Sequence, residues 1–128
     1  MAKTGATGIT RIINAGKYSM KGFRAAFKNE AAFRQDLLLA GILLILDFAV
    51  CQGAVQFILL LSGPLFVLLA EIINSAIEAV VDRISDEYHE LSGRAKDLGS
   101  AAVFLMLTYT AIIWTVILLN NYGIWSFA

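Results

Sequence analysis

Apolar residues dominate this chain, and clustered charge interrupts them in only two regions. From Ile9 the apolar positions Ile9, Ile12, Ile13, Met20, Phe23 and Phe27 follow helical spacing. Beside them Lys17, Lys21, Arg24 and Lys28 form a second stripe at i, i+4, i+7 and i+11. Side-by-side stripes predict an amphipathic helix over about residues 8–29, lying flat on a membrane with its lysines reaching toward headgroups. Gly16 and Gly22 weaken that helix and allow a break into two pieces. The run Leu37–Leu46 is too short to cross about 30 Å of hydrocarbon alone. A first span is therefore predicted over about residues 31–50, taking Arg34, Gln35 and Asp36 into its end. Asp47–Gly53 reads as a short outer turn.

A second span is predicted over about residues 55–84, and a third over about residues 95–119. Gly63-Pro64 lies in the middle of the second, and proline removes a backbone donor, so a kink is expected there. Between the two spans, SDEYHELSGRAKD is a polar stretch of mixed charge, with Ser92 or Gly93 available to cap the next helix. Trp114, Tyr122 and Trp125 fit an outer aromatic belt.

Composition supports the membrane reading. The chain has 128 residues, 59% of them hydrophobic and 16% charged, and its mean hydropathy is +0.73. A soluble domain of this size would expose too much apolar surface. One all-α membrane domain covering 1–128 is expected. The formal net charge is zero, so no bulk attraction to nucleic acid is implied. All 10 Lys and Arg fall in two blocks, Lys3–Arg34 and Arg83–Lys96, and both blocks should face the cytoplasm. That gives a cytoplasmic N-terminus and three crossings. The single Cys51 excludes an intramolecular disulfide and a cysteine metal site.

Candidate chemistry gathers between Ala70 and Ser100. Glu71, Asn74, Ser75, Glu78 and Asp82 share one helical face. Acidic groups at the end of a membrane span are costly, so function is the default reading. The competing reading is that they pair with cations of a neighbouring helix and hold a bundle together. Phosphate-binding glycine loops are absent, and the one histidine, His89, leaves no Ser-His-Asp arrangement to argue. Carboxylates such as Glu30 and Glu78 suit Mg²⁺, which bridges to phosphate oxygens. Lys96, Arg11 and Lys17 could balance polyphosphate charge, and the deeper Glu71 could accept a proton from an alcohol. These are the parts of phosphoryl transfer to a lipid hydroxyl. A small ion-conducting membrane oligomer would also place carboxylates in a span, but it explains the basic residues less well.

NEAAFRQ (29–35), EIINSAIEAVVDRI (71–84) and EYHELSGRAKDLGSAAV (87–103) resemble the prokaryotic integral-membrane diacylglycerol kinase family. TRII and AGKYSMKGFRAAF are similar to its N-terminal surface helix, so the resemblance runs from Gly8 to about Leu119. It implies ATP-dependent phosphorylation of diacylglycerol to phosphatidate in the bacterial inner membrane. It also implies a homotrimer of three-span subunits, each with an amphipathic surface helix, whose active sites are shared between subunits. Within that resemblance Glu71 is the general base, and Glu30 and Glu78 are ligands for the Mg²⁺ of Mg-ATP. Arg11, Tyr18, Glu30, Glu78, Glu87, Tyr88, His89, Lys96 and Asp97 are its nucleotide contacts, with Asn74 supporting the carboxylates. Arg11, Arg34, Gln35, Glu71, Ser100 and Trp114 fall on the lipid-substrate side. Met20, Phe27 and Pro64 depart from the family pattern on apolar faces. Undecaprenol kinases of the same superfamily share most of these motifs and are the nearest alternative.

Overall fold

The computed structural model describes residues 7–125, which form four α-helices and no strand. These are α1 (Gly8–Asn29), α2 (Ala31–Val50), α3 (Ala54–Ile84) and α4 (Glu90–Asn121). α1 runs unbroken through Gly16 and Gly22, so the break those residues allow does not occur. It leaves Ile9, Ile12, Ile13, Met20, Phe23 and Phe27 exposed. Arg34 ties α1 to α2, donating from Nη1 to the carbonyl oxygens of Phe27 (2.9 Å) and Lys28 (3.3 Å). Those carbonyls belong to the last turn of α1, where the helix has no donors of its own left.

α2 reaches Val50 because the Cys51 amide still bonds back to the Asp47 carbonyl at 2.9 Å. The connection between α2 and α3 is therefore only residues 51–53, shorter than the outer turn expected over Asp47–Gly53. It closes at Gly53, whose φ of +94° few L-residues adopt. Asn121 braces this end, donating to the Val50 carbonyl and to Gln56 Oε1, each at 2.9 Å. Among the described residues, α3 and α4 are the two helices long and apolar enough to cross a membrane by length and composition. With 31 and 32 residues, they run to roughly 46–48 Å, well beyond a hydrocarbon core of about 30 Å. α4 starts at Glu90 rather than near Ala95. His89 is its cap, accepting the Leu91 amide at Nδ1 (3.1 Å), in place of Ser92 or Gly93.

The main seam lies between α3 and α4, with α2 against α3 on the other side. Leu60, Gly63, Pro64, Val67 and Ala70 are buried along α3, facing Val103, Thr110 and Trp114 of α4. α3 continues through Pro64, although proline has no N–H to return to the carbonyl four residues earlier. That carbonyl belongs to Leu60, and it accepts the indole N–H of Trp114 at 3.1 Å in a buried bond. Trp114 is thus a buried partner of α3 and not part of an outer aromatic belt, because its donor fills the vacancy that Pro64 creates.

This pairing makes the two residues interdependent. Trp114→Phe keeps the ring and removes the donor, leaving a buried carbonyl unsatisfied. We expect a loss of about 1–3 kcal/mol in detergent unfolding experiments. Pro64→Ala restores the backbone N–H, so the same Trp114→Phe change in that background should cost less than half as much. Equal costs in both backgrounds would show that the indole does not replace the missing amide.

Candidate functional site

The site lies along the second half of α3, from Glu71 near its middle toward residues 85–89. Glu71 is buried there with only 7% of its surface exposed. Asp36 of α2 stands within side-chain hydrogen-bonding reach of it. The charges of Glu78 and Glu30 also bear on Glu71. Glu71 is therefore within electrostatic reach of Asp36 on α2, of Glu30 just before α2, and of Glu78, which stands two turns, about 10 Å, further along α3.

One turn along α3, Asn74 Nδ2 donates to Glu78 Oε1 at 3.1 Å. Asn74 Oδ1 is buried, has no hydrogen-bond partner, and points at Gly99 of α4. A side chain at position 99 would run into that amide oxygen, so glycine is what lets α4 pass this close. A further turn along, Asp82 Oδ1 meets Lys96 Nζ of α4 at 2.6 Å. Asp82, Asp86, Glu87, Tyr88, His89 and Lys96 line a polar cavity of about 310 Å³ between the ends of α3 and α4. An apolar groove of about 440 Å³ lies where α1, α2 and α3 converge, walled by Met20, Phe23, Phe27, Phe33, Leu37 and Leu68. Arg24 also lines it, and Leu68 stands one turn before Glu71 on α3.

Among the expected site residues, Asn74 and Glu78 are hydrogen-bonded to each other, and Glu30 and Glu78 each lie within electrostatic reach of Glu71. Glu87, Tyr88, His89 and Lys96 line the neighbouring cavity. Asp97 and Ser100 are exposed on α4, flanking the buried Gly99. Arg11, Tyr18 and Gln35 are exposed, with Lys21 Nζ 5.8 Å from the Tyr18 ring centre. Arg34 is occupied by the α1 terminus. Trp114 bonds at the level of Leu60, about 16 Å of helix from Glu71, so this chain does not bring it to the carboxylates. Asp36 is the residue the sequence reading passed over. The signal was present, since Asp36 is an acid beside an apolar run just as Glu71 is.

No three of the metal-ligating side chains are close enough to hold an ion by themselves among the described residues. The carboxylates of Glu30 and Glu78 are hard oxygen donors, the kind that a Mg²⁺ taking its remaining oxygens from phosphates and water prefers. One oxygen of Glu78 is held by Asn74, which fixes the direction of the other.

An all-helical membrane protein with a buried acid on one of its long apolar helices is the class that this arrangement defines. The sequence pattern of the prokaryotic diacylglycerol kinases matches residues 17–118. The diacylglycerol kinase of Haemophilus influenzae is 52% identical over 112 residues, covering 88% of this chain and 95% of that one. That of Escherichia coli strain K12 is 50% identical over 117 residues, covering 91% and 96%. That of Pseudomonas aeruginosa is 49% identical over 116 residues, covering 91% and 94%. The chain belongs to the prokaryotic diacylglycerol kinase family.

The two buried glycines of the seam should respond differently to alanine. A β-carbon at 63 would meet Thr110 Oγ1 at 2.7 Å and its Cγ2 at 2.9 Å. Thr110 is branched close to its backbone and cannot swing clear, so Gly63→Ala should cost about 1–3 kcal/mol of stability. At 99 the obstacle is an amide end, and the Asn74 Cα lies at an ordinary 3.6 Å. Gly99→Ala should therefore displace the Asn74 amide from Glu78 and lower turnover more than it lowers stability. Unfolding and turnover measured on both variants check this, and the reverse order would contradict the contacts described.

Proposed function

We propose that this chain transfers the γ-phosphoryl group of ATP to the free hydroxyl of diacylglycerol, giving phosphatidate at the cytoplasmic face of the inner membrane. The observation that carries this reading is the buried Glu71 on α3, within hydrogen-bonding reach of Asp36 of α2, with the Asn74-held Glu78 two turns further along the same helix. The acyl chains lie in the groove, which brings the lipid hydroxyl to Glu71. Glu71 takes the hydroxyl proton as the oxygen attacks the γ-phosphorus and ADP leaves. Asp36 holds the Glu71 carboxyl in place from α2. Glu30 and Glu78 hold the divalent cation of Mg-ATP, with Asn74 orienting Glu78. When bound, that cation neutralises charge on the phosphates. Lys96 offers positive charge to the same phosphates, and Glu87, Tyr88, His89 and Asp97 surround the nucleoside side, with Arg11 and Tyr18 reaching it from α1.

The same reading takes α2 as a third span beside α3 and α4, and α1 as a helix lying on the cytoplasmic surface. Seven of the ten basic residues precede α2 or lie in its first turn, and the other three lie around the α3–α4 connection, which supports that orientation. Three such subunits form the working unit, with ligands drawn from adjacent chains. The exposed apolar residues of α2, α3 and α4 supply faces for lipid and for neighbouring subunits.

Purified protein in mixed micelles with ATP and Mg²⁺ should form phosphatidate from diacylglycerol, and faster than it phosphorylates a polyprenol. Transfer to neither alcohol would overturn the kinase reading, and a polyprenol preference would change the acceptor. Glu78→Gln should reduce turnover by about a thousandfold or more while the protein remains folded. Mixing inactive Glu30→Gln with inactive Glu78→Gln subunits should restore part of the activity if the two ligands come from different chains. No rescue in verified mixed oligomers would assign both ligands to one chain.

A further inference from the structure

Asp82 has no part in the transfer just described, yet its carboxylate holds Lys96 at 2.6 Å. It stands four residues beyond Glu78, so the two acids lie on one face of α3 with β-carbons about 5–6 Å apart. Lys96 approaches that face from α4, and the charge of Glu78 reaches it as well as that of Asp82. The lysine therefore has two acids to choose between. A Lys96–Glu78 pair would place an ammonium against the oxygens that a hard divalent cation needs bare. Asn74 does not prevent this, because it occupies only Oε1 of Glu78.

We propose that Asp82 is a positioning residue, holding Lys96 one helical turn beyond Glu78 so that this carboxylate stays open to the nucleotide's divalent cation. The proposal rests on the reading of Glu78 as a metal ligand. Both partners of the Asp82–Lys96 pair are partly exposed, at 60% and 40%. Such pairs are loosely held, so Lys96 is free to exchange Asp82 for phosphate oxygens when a nucleotide enters the adjoining cavity. Asp82 thus directs the lysine without touching the reacting atoms.

The test compares the full-length wild type with Asp82→Asn, Asp82→Ser and Asp82→Glu in mixed micelles. At fixed ATP, Asp82→Asn and Asp82→Ser should raise the half-saturating Mg²⁺ concentration by roughly threefold or more, with kcat at saturating Mg²⁺ changed less than about twofold. Asp82→Glu should return the Mg²⁺ dependence to that of the wild type. Binding of Mn²⁺ with a non-hydrolysable ATP analogue, followed by electron paramagnetic resonance, should weaken in parallel. An unchanged metal dependence in the uncharged variants, while Glu78→Gln abolishes Mn²⁺ binding, would overturn the role of Asp82 alone. A fall in kcat without a shift in metal dependence would do the same. Full Mn²⁺ binding by Glu78→Gln would instead overturn the metal-ligand reading, and the proposal with it.

Discussion

The close passage of α4 across α3 is the constraint from which the rest of this structure follows. Three contacts set it: Gly63 under Thr110, the Leu60 carbonyl under the Trp114 indole, and Gly99 under Asn74. Each joins a polar group to a position where a larger or saturated partner would force the helices apart. In hydrocarbon no water stands ready to satisfy a freed carbonyl, so the Trp114 bond is a condition for keeping Pro64 within α3. Small residues and interhelical hydrogen bonds do here what the burial of apolar side chains does in water, since lipid and leucine are equally apolar.

That seam also fixes the chemistry, because α3 carries both ends of it. Leu60, Gly63, Pro64 and Val67 are packed within the apolar half, and Glu71, Asn74, Glu78 and Asp82 follow on later turns. The alignment of the lower half sets the position of the upper half. α4 answers with Trp114 and Thr110 below and with Gly99 and Lys96 above. The buried Glu71 feels the carboxylates of Asp36 from α2, of Glu78 from two turns further along α3, and of Glu30 from just before α2.

Much of this was legible in the chain. The apolar runs and the lack of alternation point to helices throughout. The stretch EIINSAIEAVVDRI points to the family because its acids recur on one helical face beside an apolar run. What stayed hidden depends on how separate helices meet. Asp36 and Glu71 are 35 positions apart, and no local period connects them. Trp114 near a helix end reads as an interfacial anchor, and only the missing amide of Pro64, on another helix, gives its N–H a different use. His89 capping α4 was missed for a simpler reason: serine and glycine nearby are commoner caps, and an imidazole nitrogen can accept an amide as well as they can.

Size is set differently along the apolar surfaces and the acidic turns. Met20 and Phe27 wall the apolar groove where α1, α2 and α3 converge, and their bulk sets its shape. Pro64 lies deeper, where its partner Trp114 makes up for the missing amide within the seam. Division of labour along α3 accounts for this difference. The apolar turns can vary in size as long as the helix axis is held, whereas the acidic turns depend on single oxygen atoms and on a neighbour as small as glycine.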